Sequence, residues 1–107
     1  MVRRGFVPYG PSGAAVEALG RVMAADLRDT PVRANILLPG GATLTGMIPD
    51  DLPAQTRAQL LDPSIMGPPI VWLASSQAAD VHDERIVATG FPEWLAARST
   101  PNDRGAR

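Results

Sequence analysis

The 107-residue sequence contains no cysteine, which excludes disulfide frameworks and thiolate metal sites. It contains no lysine either, and its ten basic side chains are all arginine. Schiff-base chemistry and a phosphate-loop lysine are therefore closed to it. Histidine and tyrosine occur once each, phenylalanine and tryptophan twice each. A formal net charge of -1 offers no basic excess for a phosphate backbone, so no nucleic-acid partner is expected. No apolar run approaches the roughly 20 residues that span a bilayer. The first six residues carry Arg3 and Arg4 but no apolar stretch after them, unlike a secretory signal. These absences lead to the expectation of a cytoplasmic protein with no membrane contact. What is present fits a folded chain: 45% apolar and 20% charged residues. Proline (11) and glycine (10) are spread as punctuation rather than gathered into a linker.

Residues 1–8 read as an extended loop ending in Val7-Pro8. A long helix is expected from near Tyr9–Ser12 to Arg28, with Pro11 confined to its first turn. Val16, Leu19, Met23 and Leu27 recur at helical spacing, and alanines fill much of the remaining surface. A helix so apolar around its circumference is expected to be buried on two sides. Pro31 forbids continuation past Thr30. Val32–Leu38 reads as a strand, apolar on both faces and so suited to a parallel sheet covered by helices. Asp50 or Asp51 is placed to cap a helix with Pro53 in its first turn, ending near Leu61 before Asp62-Pro63. Pro68-Pro69 opens a short apolar helix through Ala74. Glu84–Thr89 reads as a second strand, and Pro92–Arg98 as one or two helical turns with Trp94 and Leu95 inward. Residues 99–107 have no apolar anchor except Ala106 and are expected to form a disordered tail. The order helix, strand, helices, strand, short helix is that of the end of an α/β protein with a parallel sheet. Two strands bury little and leave their edges unpaired, so the unit reads as incomplete as a domain.

Tyr9-Gly10-Pro11-Ser12-Gly13-Ala14-Ala15 resembles the active-site helix of the short-chain dehydrogenase/reductase family. Val32 to Gly41, followed by Thr45-Gly46-Met47, resembles the segment that follows it. Trp72-Leu73-Ala74-Ser75 and Glu84-Arg85-Ile86-Val87 are similar to the family's last helix and last strand. The resemblance spans residues 5–98 in order. It implies the C-terminal part of a Rossmann-type doubly wound sheet, with hydride transfer between NAD or NADP and an alcohol/carbonyl substrate. The family motif is Tyr-x-x-x-Lys, often with a serine before the lysine. Tyrosine exchanges a proton with the substrate oxygen, and the lysine one helical turn on binds the nicotinamide ribose and lowers the phenol pKa. Tyr9 and Ser12 match, but Gly13 stands where the lysine belongs. A free phenol, with a pKa of about 10, is only on the order of 0.1% ionised at pH 7. Arginine is not a stereochemical substitute for that lysine.

The resemblance further implies a nicotinamide contact from Pro39, Gly40 and Gly41, with Thr45, or alternatively Thr43, as the hydroxyl on the carboxamide. Met47 and Ile48 would line the substrate. The glycine-rich pyrophosphate turn and the upstream catalytic serine are not in this sequence. The chain thus resembles the family's C-terminal portion only, expected to be inactive and without bound cofactor by itself. The rival reading is a non-catalytic module that forms a homo-oligomer, or pairs with a complete relative or a separate N-terminal half. Gly41 to Gly46 has the glycine spacing of a phosphate loop, but Met47-Ile48 follow where Lys-Ser/Thr would be needed. His82, in a polar turn beside Asp83 and Glu84, reads as a surface residue rather than an acid/base group or a metal ligand. No metal site is expected.

Overall fold

The computed structural model describes residues 4, 5 and 7–98. Helix α1 spans Tyr9–Asp26. Pro11 lies in its first turn, where its missing N–H leaves no bond unmade, and the first helical bond runs from Ser12 N to Pro8 O at 3.0 Å. The helix stops two residues before the expected Arg28, with Leu27 as its C-cap. Thr30 ends it locally, its amide (3.0 Å) and its hydroxyl (2.7 Å) both donating to Leu27 O.

Strand β1 is Ile36–Leu38 and strand β2 is Arg85–Val87, each shorter than the sequence suggests. They pair in parallel, with Ile36 opposite Arg85, Leu37 opposite Ile86 and Leu38 opposite Val87. The expected strand begins too early because side chains take over the ladder before Ile36. Ala34 N donates to His82 Nδ1 (3.0 Å), and Asn35 Nδ2 donates to Val81 O (3.1 Å). Asn35 Oδ1 accepts from Glu84 N at 3.0 Å. Asp83, at φ 58, still donates its amide to Ala34 O (2.9 Å). After Val87 the chain tightens into a 3-10 turn, Ala88–Gly90, which ends the second strand ahead of Thr89.

Between the strands, α2 is reduced to Ala54–Ala58. Pro53, not Asp50 or Asp51, occupies its N-cap, and no side chain caps it. A 3-10 turn at Pro63–Met66 precedes α3, Gly67–Leu73. Asp62 opens that turn by accepting from Ser64 N at 2.8 Å. The same bond holds the Asp62 carboxyl below its ordinary range. Helix α4, Phe91–Arg98, follows β2. The expected tail at 99–107 lies outside the described residues, as do residues 1–3 and 6 of the expected N-terminal loop.

The core gathers where α3, β2 and α4 meet. Ala78, Val81, Ile86 and Phe91 are buried, with Leu37, Trp72, Leu73, Trp94 and Leu95 packed against them. Burying a side chain of the size of Ile86 stabilises the fold by about 1.5–3 kcal/mol. Trp72 meets Phe91 (6.0 Å) and Trp94 (5.6 Å) edge to face. The Arg98 guanidinium lies 5.7 Å and 5.4 Å from the two indole centroids and pairs with Asp80 at 2.8 Å.

Helix α1 departs most from expectation. It meets the sheet along Glu17, Gly20, Arg21 and Ala24, one stripe at i, i+3, i+4 and i+7. Arg85 Nε bonds Glu17 Oε1 (2.8 Å), and Arg21 Nε bonds Asp83 Oδ1 (2.7 Å). Gly20 lies so close to Ile36 that a Cβ would meet its Cγ1 at 3.3 Å. The neighbouring stripe, rotated by about 100°, is the apolar one and stays exposed: Val16 is 68%, Leu19 59% and Met23 47% exposed. The helix is therefore covered on one side only, because a two-stranded sheet is too narrow to cover more. The result is an elongated α/β chain. Its radius of gyration is 16.6 Å, against about 13 Å for a compact domain of this length. Among the described residues no helix is long and apolar enough to cross a membrane.

Candidate functional site

The order of contacts between α1 and β2 fixes the helix direction. Ala24 meets His82, Arg21 meets Asp83 and Glu17 meets Arg85, so α1 runs antiparallel to the strands. Tyr9 precedes Glu17 by eight residues, about 12 Å of helix at 1.5 Å per residue. From Arg85 the strand pair continues only to Val87 and Leu38, about 7 Å at about 3.3 Å per residue, so Tyr9 lies past its carboxyl ends. The N-terminus of α1 therefore stands at the carboxyl-terminal edge of the sheet. The loop Pro39–Ile48 leaves β1 at that same edge.

Tyr9 is the first residue of α1 and 53% exposed. Ser12 Oγ donates to Tyr9 O at 3.0 Å, which ties the serine to the first turn. At Gly13 an added Cβ would meet nothing within 4 Å. Nothing in the surrounding packing therefore accounts for glycine where the resemblance calls for lysine.

The loop glycines do have packing reasons. Gly40 has φ +101, and a Cβ there would collide with Thr89 Oγ1 and stand 2.7 Å from Val87 Cγ1. Thr89 N closes this approach by donating to Pro39 O at 3.2 Å. Gly41 packs on Leu61, where a Cβ would lie 3.2 Å from Cδ1. Thr43 forms an isolated parallel bridge with Leu61, through Leu44 N to Leu61 O and Leu61 N to Ala42 O, both 2.8 Å. Its hydroxyl donates to Gly41 O at 3.1 Å. Thr45 Oγ1 accepts from Met47 N at 3.4 Å, a long contact that leaves the hydroxyl proton to another acceptor. Met47 is 76% exposed and Ile48 half-buried. The start of the loop is thus pinned to the turn after β2 by Thr89 and to the segment after α2 by Leu61.

A cleft lies elsewhere. It holds about 660 Å³ and lies along β1 and α3, lined by Arg33, Asn35, Leu37, Ile70, Leu73 and Val81 among others. None of Tyr9, Ser12, Gly13 or the loop residues lines it. Leu37 borders it with the free edge of β1, since Ile36 bonds toward β2 through its amide to Glu84 O at 2.8 Å. Among the described residues no three His, Asp or Glu side chains cluster so as to hold a metal ion.

Sequence reasoning missed His82. It is half-buried, and both its ring nitrogens are bonded to main chain. No local signal marks this, because Ala24 and Ala34 are 58 and 48 residues away in sequence.

For a nicotinamide cofactor the fit is partial. The Thr45 hydroxyl and the backbone of the Pro39–Thr45 loop suit a carboxamide. No lysine is available for the ribose, and the Gly40 hollow is filled by Thr89 rather than left open to a ligand. No family model matches the chain, and neither does any curated protein or solved structure.

Proposed function

We propose that this chain carries the catalytic-helix edge of an NAD(P)-dependent oxidoreductase of the short-chain dehydrogenase/reductase type, within a Rossmann-type sheet. The observation that carries the reading is the shared edge. Helix α1 begins with Tyr9 toward the carboxyl ends of the parallel strands, the end from which the Pro39–Thr45 loop leaves β1 and where open α/β sheets bind ligands. In this reading the Tyr9 hydroxyl donates a proton to the oxygen of a carbonyl substrate, or accepts one from an alcohol. Thr45, with Thr43 as the alternative, and the Pro39–Gly41 backbone orient the nicotinamide carboxamide. Met47 and Ile48 give the substrate an apolar wall. Gly13, in the lysine position, supplies no cation to the helix face that carries Tyr9. The polypeptide by itself therefore does not turn over. The test is an assay of purified protein with NADH and NADPH against small ketones and aldehydes, beside a Tyr9→Phe control. No nicotinamide-dependent turnover above the control is expected. Turnover that Tyr9→Phe abolishes would overturn the inactivity while upholding the role of Tyr9.

A second reading, a non-catalytic interaction module, is favoured by one observation: the apolar stripe Val16, Leu19 and Met23 faces outward on α1. In that reading the stripe joins two copies, or joins this chain to a separate N-terminal half. Sedimentation velocity separates the readings. A stable self-associated species that Leu19→Glu dissolves supports the module, and a monomer at all concentrations counts against it.

A further inference from the structure

His82 joins three parts of the chain through one ring. Nδ1 faces Ala34 N at 3.0 Å, and Nε2 faces Ala24 O at 2.7 Å. The two partners fix its tautomer. A main-chain amide can only donate and a main-chain carbonyl can only accept, so Nδ1 is the acceptor and Nε2 carries the hydrogen. Only the neutral imidazole satisfies both contacts. Ala24 O is one of the last four carbonyls of α1, and the neighbouring ones are served by Leu27 N at Met23 O and Arg28 N at Ala25 O. The ring thus completes the C-terminal end of α1 and, through Ala34, holds it to the segment entering β1.

We infer that His82 is an acid-release clip: its protonation parts the C-terminal end of α1 from the Ala34 segment that enters β1. A second proton would go to Nδ1 and set N–H against the Ala34 N–H at 3.0 Å. The Ala34 amide would lose its acceptor, and the ring would have to leave one partner. The opposing influence is the negative end of α1, which favours a cation close to Ala24 O. That attraction acts on a carbonyl already bonded to the neutral ring, whereas the clash at Ala34 exists only in the charged form. The charged ring therefore keeps Ala24 O and gives up Ala34, and acid loosens the join between α1 and the segment entering β1.

The charged groups around the clip do not neutralise it. On α1, Arg21 is paired with Asp83, and Asp26 and Arg28 flank the helix end on exposed positions. On the segment before β1, Arg33 donates to Ala79 O (2.7 Å) and Thr30 O (2.9 Å). In the loop of His82 itself, Asp80 is paired with Arg98, and Glu84 is exposed. Both ring contacts go to main-chain atoms. The inference is independent of the oxidoreductase reading, because it concerns the attachment of α1 and not what binds at its other end.

Amide hydrogen exchange of the full chain, corrected for intrinsic rates, tests it between about pH 7.5 and 5, the range in which histidine changes charge. If opening takes up one proton, the opening constant of the Ala34 amide rises by about tenfold per pH unit on the acid side of that titration. His82→Gln keeps one donor and one acceptor but cannot titrate, and its opening constant is expected to stay flat over the same range. The same acid step in His82→Gln would overturn the inference. Nitrogen-15 imidazole shifts of the unmodified protein give a check that needs no variant. The expected result is an Nε2–H tautomer at neutral pH, with ring protonation and Ala34 amide exchange rising together. An Nδ1–H tautomer, or ring protonation without a change in Ala34 exchange, would overturn it.

Discussion

A methyl group on Gly40 would stand 2.7 Å from Val87 and collide with Thr89, whereas one on Gly13 would meet nothing within 4 Å. Two glycines of the proposed site therefore respond in opposite directions. Gly40→Ala forces a side chain into a positive-φ position and into packed neighbours, and it should cost about 2–4 kcal/mol. Gly13→Ala removes a flexible residue from an exposed part of α1 and should add about 1 kcal/mol. Urea unfolding of the two variants checks both signs. Gly13→Lys is accommodated by the same open space. It restores the Tyr-x-x-x-Lys spacing and is expected to tighten NAD or NADP binding, read by NADH fluorescence. Ile86 is fully buried. Ile86→Ala should cost about 2–5 kcal/mol, enough to remove the cooperative transition of so small a core.

At the scale of elements, α1 is held by a narrow set of fasteners. Two of them are ion pairs with much exposed side-chain surface, which contribute little individually and weaken in salt. The Arg85 hydrogen bond holds the Glu17 carboxyl below its ordinary value of 4.5. A lowered folded-state pKa means that the pair contributes above the unfolded value and loses that contribution as pH falls through the folded one. Glu17→Gln should therefore remove acid sensitivity of α1 exchange below about pH 4.5 while leaving the His82 step at higher pH. The two fasteners are separable by pH alone.

The elements also show what could be read from sequence. Helices α1 and α4 were legible because proline and apolar spacing bound them locally, with Pro31 behind α1 and Trp94 and Leu95 inward on α4. Both strands were read too long. The positions before Ile36 look like strand by composition, but their ladder bonds are taken by Asn35 and His82, a substitution that depends on partners more than 40 residues away. The exposed stripe on α1 was misplaced for a related reason. Apolar spacing identifies the stripe but not the width of the sheet available to cover it. For the site, Tyr9 and the Pro39–Thr45 loop were legible only as motif positions. That both lie toward one end of the sheet follows from the antiparallel run of α1, which the contacts of Glu17, Arg21 and Ala24 establish.

For the whole molecule, a parallel pair of strands supports an edge where α1 begins and the Pro39–Thr45 loop turns, while the cleft of about 660 Å³ lies along β1 and α3. The two places predict different footprints for a dinucleotide. The elongated shape, 51 × 28 × 22 Å, is open to small-angle scattering, with an expected radius of gyration near 16.6 Å for the monomer. The central claim is that the nicotinamide end of the site is the carboxyl-terminal edge. Nitrogen-15 NMR of the labelled Gly13→Lys protein, which regains the lysine position, during titration with NAD and NADP to millimolar concentration tests it most directly. The account predicts weak shifts confined to Tyr9, Gly40, Gly41, Thr43 and Thr45. Shifts centred on Arg33, Asn35 and Leu37 in the cleft, or none at any concentration, would contradict it.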